Sequence, residues 1–374
     1  MTPAEDLSRL REALALAAHA IGNCEPNPRV GCVLTDAAGR VLGTGHTQQA
    51  GGPHAEIMAL RDAAAQGHSV AGATAYVTLE PCAHQGRTGP CCDALVQAGI
   101  ARVVASLGDP NPLVGGQGFG RLRAAGVVVD IGLCAEEARE LNLGFFSRMQ
   151  RKTPWVRLKV AASLDGKTAL DNGASQWITS PEARADGHAW RARAGAILTG
   201  IGTIREDNPR LDVRLVPCPQ QPPLVVIDSR LETPPDAQLF IEGRPVWVYA
   251  AVPDDTRARA LAQRGATVRY LPGQSADTRG KVDLRAVLLD LAQRGVNELH
   301  VEAGHKLNGS LLREGLVDEL LLYLAPTLIG QGRDMAAFGP LARLDDALAL
   351  EFISTGMVGP DLRLVARPAG RARF

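Results

Sequence analysis

The 374-residue chain has no net charge, 40 Lys and Arg balancing 40 Asp and Glu. Without a basic excess, a protein that binds nucleic acid by neutralising many phosphates is not expected. Long apolar runs are also missing. The longest, around Leu320 to Ile329, contains Pro326 and is shorter than the ~20 residues that span a bilayer. The first twenty residues mix acidic and basic side chains and lack the basic-then-apolar layout of a secretory signal, so the expected location is cytoplasmic, away from membranes. Thiols stay reduced there, and clustered cysteines read as metal ligands rather than disulfides. What remains, 45% hydrophobic and 21% charged residues, is ordinary globular composition and excludes disorder and fibrous repeats.

Lysine and cysteine are unevenly spread. All five lysines lie at or after Lys152, whereas six of the seven cysteines fall within the first 150 residues. The shift occurs in FFSRMQRKTPWV (Phe145 to Val156), and the length suits two domains. The expected boundary gives domains 1–150 and 151–374.

In the first domain a 3–21 helix is predicted from Leu7, Leu10, Leu14, Ala17 and Ile21. GCVLTD and GRVLGTGH read as strands, HAEIMALRDAAAQG as a helix, ATAYVTLEP as a strand, CCDALVQAG as a helix and ARVVASLGD as a strand. This alternation predicts a three-layer α/β/α sandwich on a mostly parallel sheet. Chemistry gathers where strands end and helices start. His54 opens one helix, Cys82 follows a strand, and Cys91 opens the next helix. One imidazole and two thiolates supply three ligands for zinc and leave the fourth position to water, as in catalytic sites. Glu56, two residues after His54, is placed to shuttle a proton without ligating. Each feature alone has a duller reading, since two cysteines nine apart are often only small buried residues.

His-x-Glu followed by Pro-Cys…Cys resembles the zinc-dependent cytidine-deaminase superfamily, but eight residues separate Cys82 from Cys91 where two are usual. That longer stretch, PCAHQGRTGPC, with NPRVGCV, GTGHTQQAGGPHAE and GDPNPLVGGQGFGRLRAAG, resembles the deaminase domain of the bifunctional riboflavin-biosynthesis deaminase/reductase family. Gly89 stands where that family has a second proline. The resemblance implies a zinc-held hydroxide that deaminates a phosphoribosyl-pyrimidine, with Glu56 as catalytic residue. It further implies that Asn27, His46, His84 and Arg87 contact the substrate.

The second domain also reads as α/β with a largely parallel sheet, its strands including WVRLKVAAS, GAILTGIG, PPLVVIDS, PVWVYAA, ELHVEAG and DELLLYLAP. No Gly-x-Gly-x-x-Gly follows a strand, so a standard Rossmann site is not indicated. Three segments suit a nucleotide nonetheless. GIGTIREDNP places small residues after a strand, HVEAGHKLNGSLL turns into a helix whose free N–H groups can hold phosphate oxygens, and GASQWITS carries Trp177, able to cover a flat ring. With KVAASLDGKTA, VIDSR and VDELLLYLAPTLIGQG, they resemble the same family's reductase domain, which has a dihydrofolate-reductase-like α/β fold. The match spans residues 154–332.

For that domain the resemblance implies NADPH contacts from Ala161, Trp177, Thr203, Asp207, Ser229 and the 304–310 turn (Gly304, His305, Lys306, Leu307, Asn308, Gly309, Ser310). Substrate contacts would come from Ser175, Arg191, Leu211, Arg214 and Glu302, the two arginines suiting a phosphate. Lys159 or Glu302 is expected to assist proton transfer. The family tends to form dimers or tetramers, so a homo-oligomer is expected. Two alternatives stay open at this level: a zinc deaminase of another nucleoside or nucleotide fused to a nucleotide-binding module, and a non-enzymatic protein with a structural zinc.

Overall fold

The computed structural model describes residues 2–83, 89–275 and 278–374. The chain divides into two compact units, residues 1–152 and 153–374.

The first unit begins with α1 (Pro3–Ala18), started by a Thr2–Glu5 capping box with Pro3 in the first turn. It is shorter than the periodicity predicts. His19, Ala20 and Ile21 bond to carbonyls three residues back, so the helix tightens and stops. Next come β1 (Gly31–Thr35), β2 (Val41–His46), α2 (Ala55–Ala65) and β3 (Thr74–Val77). The unit continues with α3 (Cys91–Gln97), β4 (Arg102–Ala105), α4 (Gln117–Ala124) and β5 (Val128–Ile131), and closes with α5 (Ala135–Leu141) and α6 (Leu143–Gln150).

Sheet order is β2-β1-β3-β4-β5, with β1 antiparallel to both neighbours and the other two pairs parallel. The expected mostly parallel sheet is therefore corrected to a mixed one: the Asp36–Gly39 turn makes β1 and β2 a hairpin, and only β3 to β5 are joined by helical crossovers. Small residues let the helices approach closely. A Cβ on Gly31 would lie 1.8 Å from the Ala13 carbonyl oxygen of α1, and one on Gly45 would lie 2.3 Å from the Ala55 oxygen of α2. Gly31 and Gly45 point to opposite faces, so α1 and α2 sandwich the sheet.

The second unit runs β6 (Trp155–Ser163), β7 (Lys167–Leu170), α7 (Pro181–Ala192), β8 (Ala196–Gly200), α8 (Ile201–Asp207) and β9 (Leu224–Ile227). It continues with β10 (Val246–Ala250), α9 (Asp255–Gln263), β11 (Ala266–Tyr270), α10 (Leu284–Gln293), β12 (Glu298–Val301) and α11 (His305–Arg313). The remaining strands are β13 (Glu319–Ala325), β14 (Gly332–Asp334), β15 (Leu350–Val358) and β16 (Asp361–Pro368). A nine-stranded sheet, β11-β10-β9-β8-β12-β6-β13-β16-β15, is parallel up to β13 and ends in an antiparallel hairpin. That hairpin lies past Gly332, beyond the sequence-level match.

Alternate residues of β6 face opposite ways. Val156, Leu158, Val160 and Ala162 pack with Leu284, Val287, Leu288 and Leu291 of α10 and Leu311 of α11. The other face, with Arg157, Lys159 and Ala161, lies under α7: Arg157 stacks on Trp190, and the Tyr323 hydroxyl of β13 donates to Asp186 at 2.6 Å. Strands covered on both faces read as continuous apolar runs, which is why they were legible.

Candidate functional site

In the first unit His54 is the N-cap of α2, with an extended backbone and no side-chain cap bond, so its ring is free to turn outward. Cys91 is the first residue of α3, and Cys82 lies between β3 and α3. His54 Nδ1 is 3.3 Å from Cys91 Sγ and 3.5 Å from Cys82 Sγ. Nitrogen and sulfur bound tetrahedrally to one zinc sit about 3.6 Å apart, so the donor set fits that metal. No other group of three such donors gathers this way among the described residues.

The charge state of the trio fits as well. Cys82 accepts from the Cys91 thiol, from His54 and from the Cys91 backbone N–H at 3.3 Å, which together hold its thiol well below the ordinary value. Donating that hydrogen bond to Cys82, together with burial, pushes the Cys91 thiol far up, and the hydrogen bond to Cys82 raises His54. Two thiols and an imidazole packed this closely make a place that a divalent cation takes by displacing thiol protons.

Glu56, the second residue of α2, is 3% exposed. Burial, then the negative Cys82 sulfur, pushes its carboxyl up to about 7, so the group is poised to take and give a proton near neutrality. His46 ends β2 and meets His19 edge-to-face at 5.5 Å between ring centres; burial and then His19 lower it. Asn27 precedes β1, whose first residue pairs with His46, so both occupy the sheet end that carries Cys82. His84 and Arg87 lie outside the described residues.

In the second unit a cavity of about 1340 Å³ opens over the C-terminal ends of β6, β8, β9 and β12. Such crevices are where ligands bind in open parallel sheets. Ala161, Ser175, Trp177, Thr203, Asp207, Leu211, Ser229 and 304–308 line it, with Arg191, Arg214 and Glu302. Here β8 stops at Gly200 and α8 starts at once, whereas the sequence reading carried the strand on to Gly202. Gly200 is needed for closeness, since a Cβ there would meet Leu307 Cδ2 at 3.0 Å. Trp177 is 67% exposed, one face resting on the Arg184 guanidinium at 4.4 Å. Asp207 Oδ1 accepts from the Ser175 hydroxyl at 3.5 Å.

Two of the expected cofactor residues face elsewhere. Gly309 makes room for the Ala337 carbonyl, 2.3 Å from where its Cβ would be, and the Ser310 hydroxyl donates to the Lys306 carbonyl at 3.2 Å. Neither lines the cavity. Arg191 is also not the open phosphate ligand expected. Its Nε and Nη2 fork the Glu302 carboxylate, the latter at 2.8 Å, and Nη1 donates to the Asp212 carbonyl at 2.9 Å. Arg214 pairs with Asp212 at 2.5 Å but stays half exposed, so it keeps donors for an anion.

Burial pushes the Glu302 carboxyl up, yet the charges of Arg191 and Lys159 outweigh it and hold the group well below the carboxylate range. Lys159 Nζ sits 3.5 Å from Glu302 Oε2. The sequence reading missed His188 of α7, whose Nδ1 accepts the Arg214 backbone N–H at 3.2 Å beside this cluster. A single histidine in an amphipathic helix gives no signal of that role.

Each of the two units matches a known protein family. Residues 3–107 match the cytidine and deoxycytidylate deaminase zinc-binding region, and residues 154–364 match the RibD C-terminal domain. The chain is 44% identical over 373 residues to riboflavin biosynthesis protein RibD of Escherichia coli K12, covering 96% of this chain and 98% of that one. Against the solved structure of Acinetobacter baumannii RibD it has a TM-score of 0.88 at 38% identity, covering 98% and 99% of the two chains. The diaminohydroxyphosphoribosylaminopyrimidine deaminase/5-amino-6-(5-phosphoribosylamino)uracil reductase of Thermotoga maritima gives 0.85 at 30% identity, with the same coverage. A zinc-binding deaminase region and a reductase domain joined in one chain, related to these proteins over nearly its whole length, place the chain in the RibD family of bifunctional deaminase/reductases of riboflavin biosynthesis.

Proposed function

We propose that His54, Cys82 and Cys91 hold zinc in the first unit and that NADPH occupies the cavity of the second. The substrate of the first step is 2,5-diamino-6-(5-phosphoribosylamino)pyrimidin-4(3H)-one, and its product is 5-amino-6-(5-phosphoribosylamino)uracil. Zinc, when bound, lowers the pKa of water toward neutrality and so supplies a nucleophile at the amino-bearing ring carbon. Glu56 takes a proton from the attacking water at one carboxylate oxygen and returns it to the amine. The C–O bond forms, the C–N bond breaks, and ammonia leaves. Burial keeps Glu56 apart from bulk water and near the pKa this shuttle needs.

In the second step the ribosyl group becomes ribityl by reduction at C1′ of its ring-opened form, for which NADPH supplies the hydride. The balancing proton is assigned to Lys159. Glu302 is held ionised by Arg191 and Lys159, so it orients the lysine rather than donating itself. Arg214 is the better placed arginine for the ribose phosphate. Trp177 offers its open face to a planar ring.

The observation that carries the reading is the close approach of one imidazole and two thiols beside a buried carboxylate. The test is Glu56→Gln in a coupled assay that follows ammonia release and NADPH loss. Retained zinc with ammonia release lost supports the assignment; normal ammonia release overturns it. A cytoplasmic homo-oligomer completes the reading. β15 carries Phe352, Ile353 and Met357 exposed at a sheet edge, a surface that suits a second copy, and a monomer mass in sedimentation would remove that part.

A further inference from the structure

Glu80 sits between β3 and the proposed ligand Cys82, its residue 5% exposed. Its carboxylate gathers four backbone N–H groups. Oε1 accepts from Gly118 at 2.9 Å and Phe119 at 3.2 Å, and Oε2 accepts from Gly116 at 2.9 Å and Asp109 at 3.0 Å. Three of these belong to the start of α4, whose N-cap, Gly116, is left-handed and has no side chain to cap with. Glu80 thus supplies the cap from another element, a negative charge where the helix N-terminus favours one.

The same contact fixes the neighbouring backbone. Gly118 packs on Pro81 so closely that a Cβ would lie 1.9 Å from the Pro81 carbonyl oxygen. On its other side, the Cys82 carbonyl accepts the Cys92 N–H of α3 at 3.2 Å. Pro81–Cys82 is therefore clamped between the starts of α4 and α3 although it belongs to neither a strand nor a helix.

We infer that Glu80 is a positioning residue of the zinc centre: by tying the first turn of α4 to the strand end, it sets where Cys82 leaves the backbone and so holds its sulfur in register with His54 and Cys91. The inference rests on the ligand reading above. A metal site tolerates only about half an ångström of error in its ligands, and an irregular segment meets that tolerance only if something else holds it. A carboxylate suits the task because it has acceptor capacity for all four donors and makes charge-assisted bonds.

The experiment is Glu80→Gln in the full chain, with zinc retention measured by chelator competition and ammonia release measured at saturating zinc. The carboxamide keeps one oxygen but turns an NH₂ toward two N–H donors. Zinc affinity is expected to fall about tenfold or more, the usual size for groups supporting a ligand. kcat for deamination should fall while KM stays nearly constant, and NADPH oxidation with the uracil intermediate supplied directly should be unchanged. Glu80→Asp, still charged but one methylene shorter, should show smaller losses of the same kind, and it carries the test if Glu80→Gln does not fold. Wild-type zinc affinity and kcat in the folded variants, with only a lower melting temperature, would reduce Glu80 to a fold anchor and overturn the inference. Cys82→Ser is measured alongside. If it keeps zinc, the ligand reading fails and takes this inference with it; if it loses zinc while Glu80→Gln and Glu80→Asp do not, only the inference fails.

Discussion

Replacing Arg157 by methionine should unfold the reductase unit early and spare the deaminase. Arg157 lies in β6, side chain 3% exposed, between Glu298 at 2.9 Å and Glu319 at 2.5 Å, themselves 3% and 2% exposed. Removing one partner of a buried ion pair costs about 3–5 kcal/mol, because a charge is left without compensation. Each glutamate retains a second arginine here: Arg193 lies 3.2 Å from Glu298 and Arg367 lies 2.7 Å from Glu319. Methionine also keeps apolar contact with Trp190. The expected loss is therefore at the lower end, about 3 kcal/mol. At roughly 2–4 °C per kcal/mol for a unit of this size, the melting temperature should fall by about 6–12 °C.

The assay is direct, since all four tryptophans (Trp155, Trp177, Trp190 and Trp247) lie in the second unit and their fluorescence reports it alone. Ammonia release should stay at the wild-type level. Acid adds a second check. Burial raises the Glu319 carboxyl, but Arg157 and Arg367 together hold it below its ordinary value. That contribution is present above the carboxylate range and lost as pH falls through the folded value. The variant lacks part of it, so the gap to wild type should hold above about pH 4.5, the ordinary carboxyl value, and narrow as pH falls below it toward the lower folded value. A loss under about 1 kcal/mol, or a gap that does not change with pH, would refute the reasoning.

Other outcomes are expected. Burial, then Arg191 and Arg214, push His188 down to about 4. Below its ordinary value near 6.5 the unfolded chain takes up a proton that the folded one refuses. The reductase unit should thus lose up to about 3 kcal/mol between about pH 6.5 and 4, and His188→Gln should flatten that part of a urea-unfolding profile. Gly118→Ala, with its Cβ 1.9 Å from a backbone oxygen, should cost at least the 1–3 kcal/mol roughly typical of overpacking and release zinc more readily, read by thermal shift and chelator competition. Stripping zinc with a chelator should abolish ammonia release while the uracil intermediate, supplied directly, still drives NADPH oxidation; loss of both activities would count against separate sites.

Order along the chain, together with side-chain chemistry, made His54, Glu56, Cys82 and Cys91 readable as one group. Capping and periodicity placed the helices that carry them, because such signals are local. Apolar runs likewise marked β6, β8, β9 and β12 as strands of a largely parallel sheet. Register and long-range pairing were not readable. Whether β1 runs against β3, whether a hairpin past Gly332 closes the large sheet, and whether Arg191 faces an anion or a carboxylate 111 residues away all depend on how distant segments meet. Glu80 is of the same kind. In the sequence it is one more acidic residue before Pro-Cys, and only the folded chain brings four backbone donors to its carboxylate, because Asp109 and the glycines of a later helix start must arrive there together.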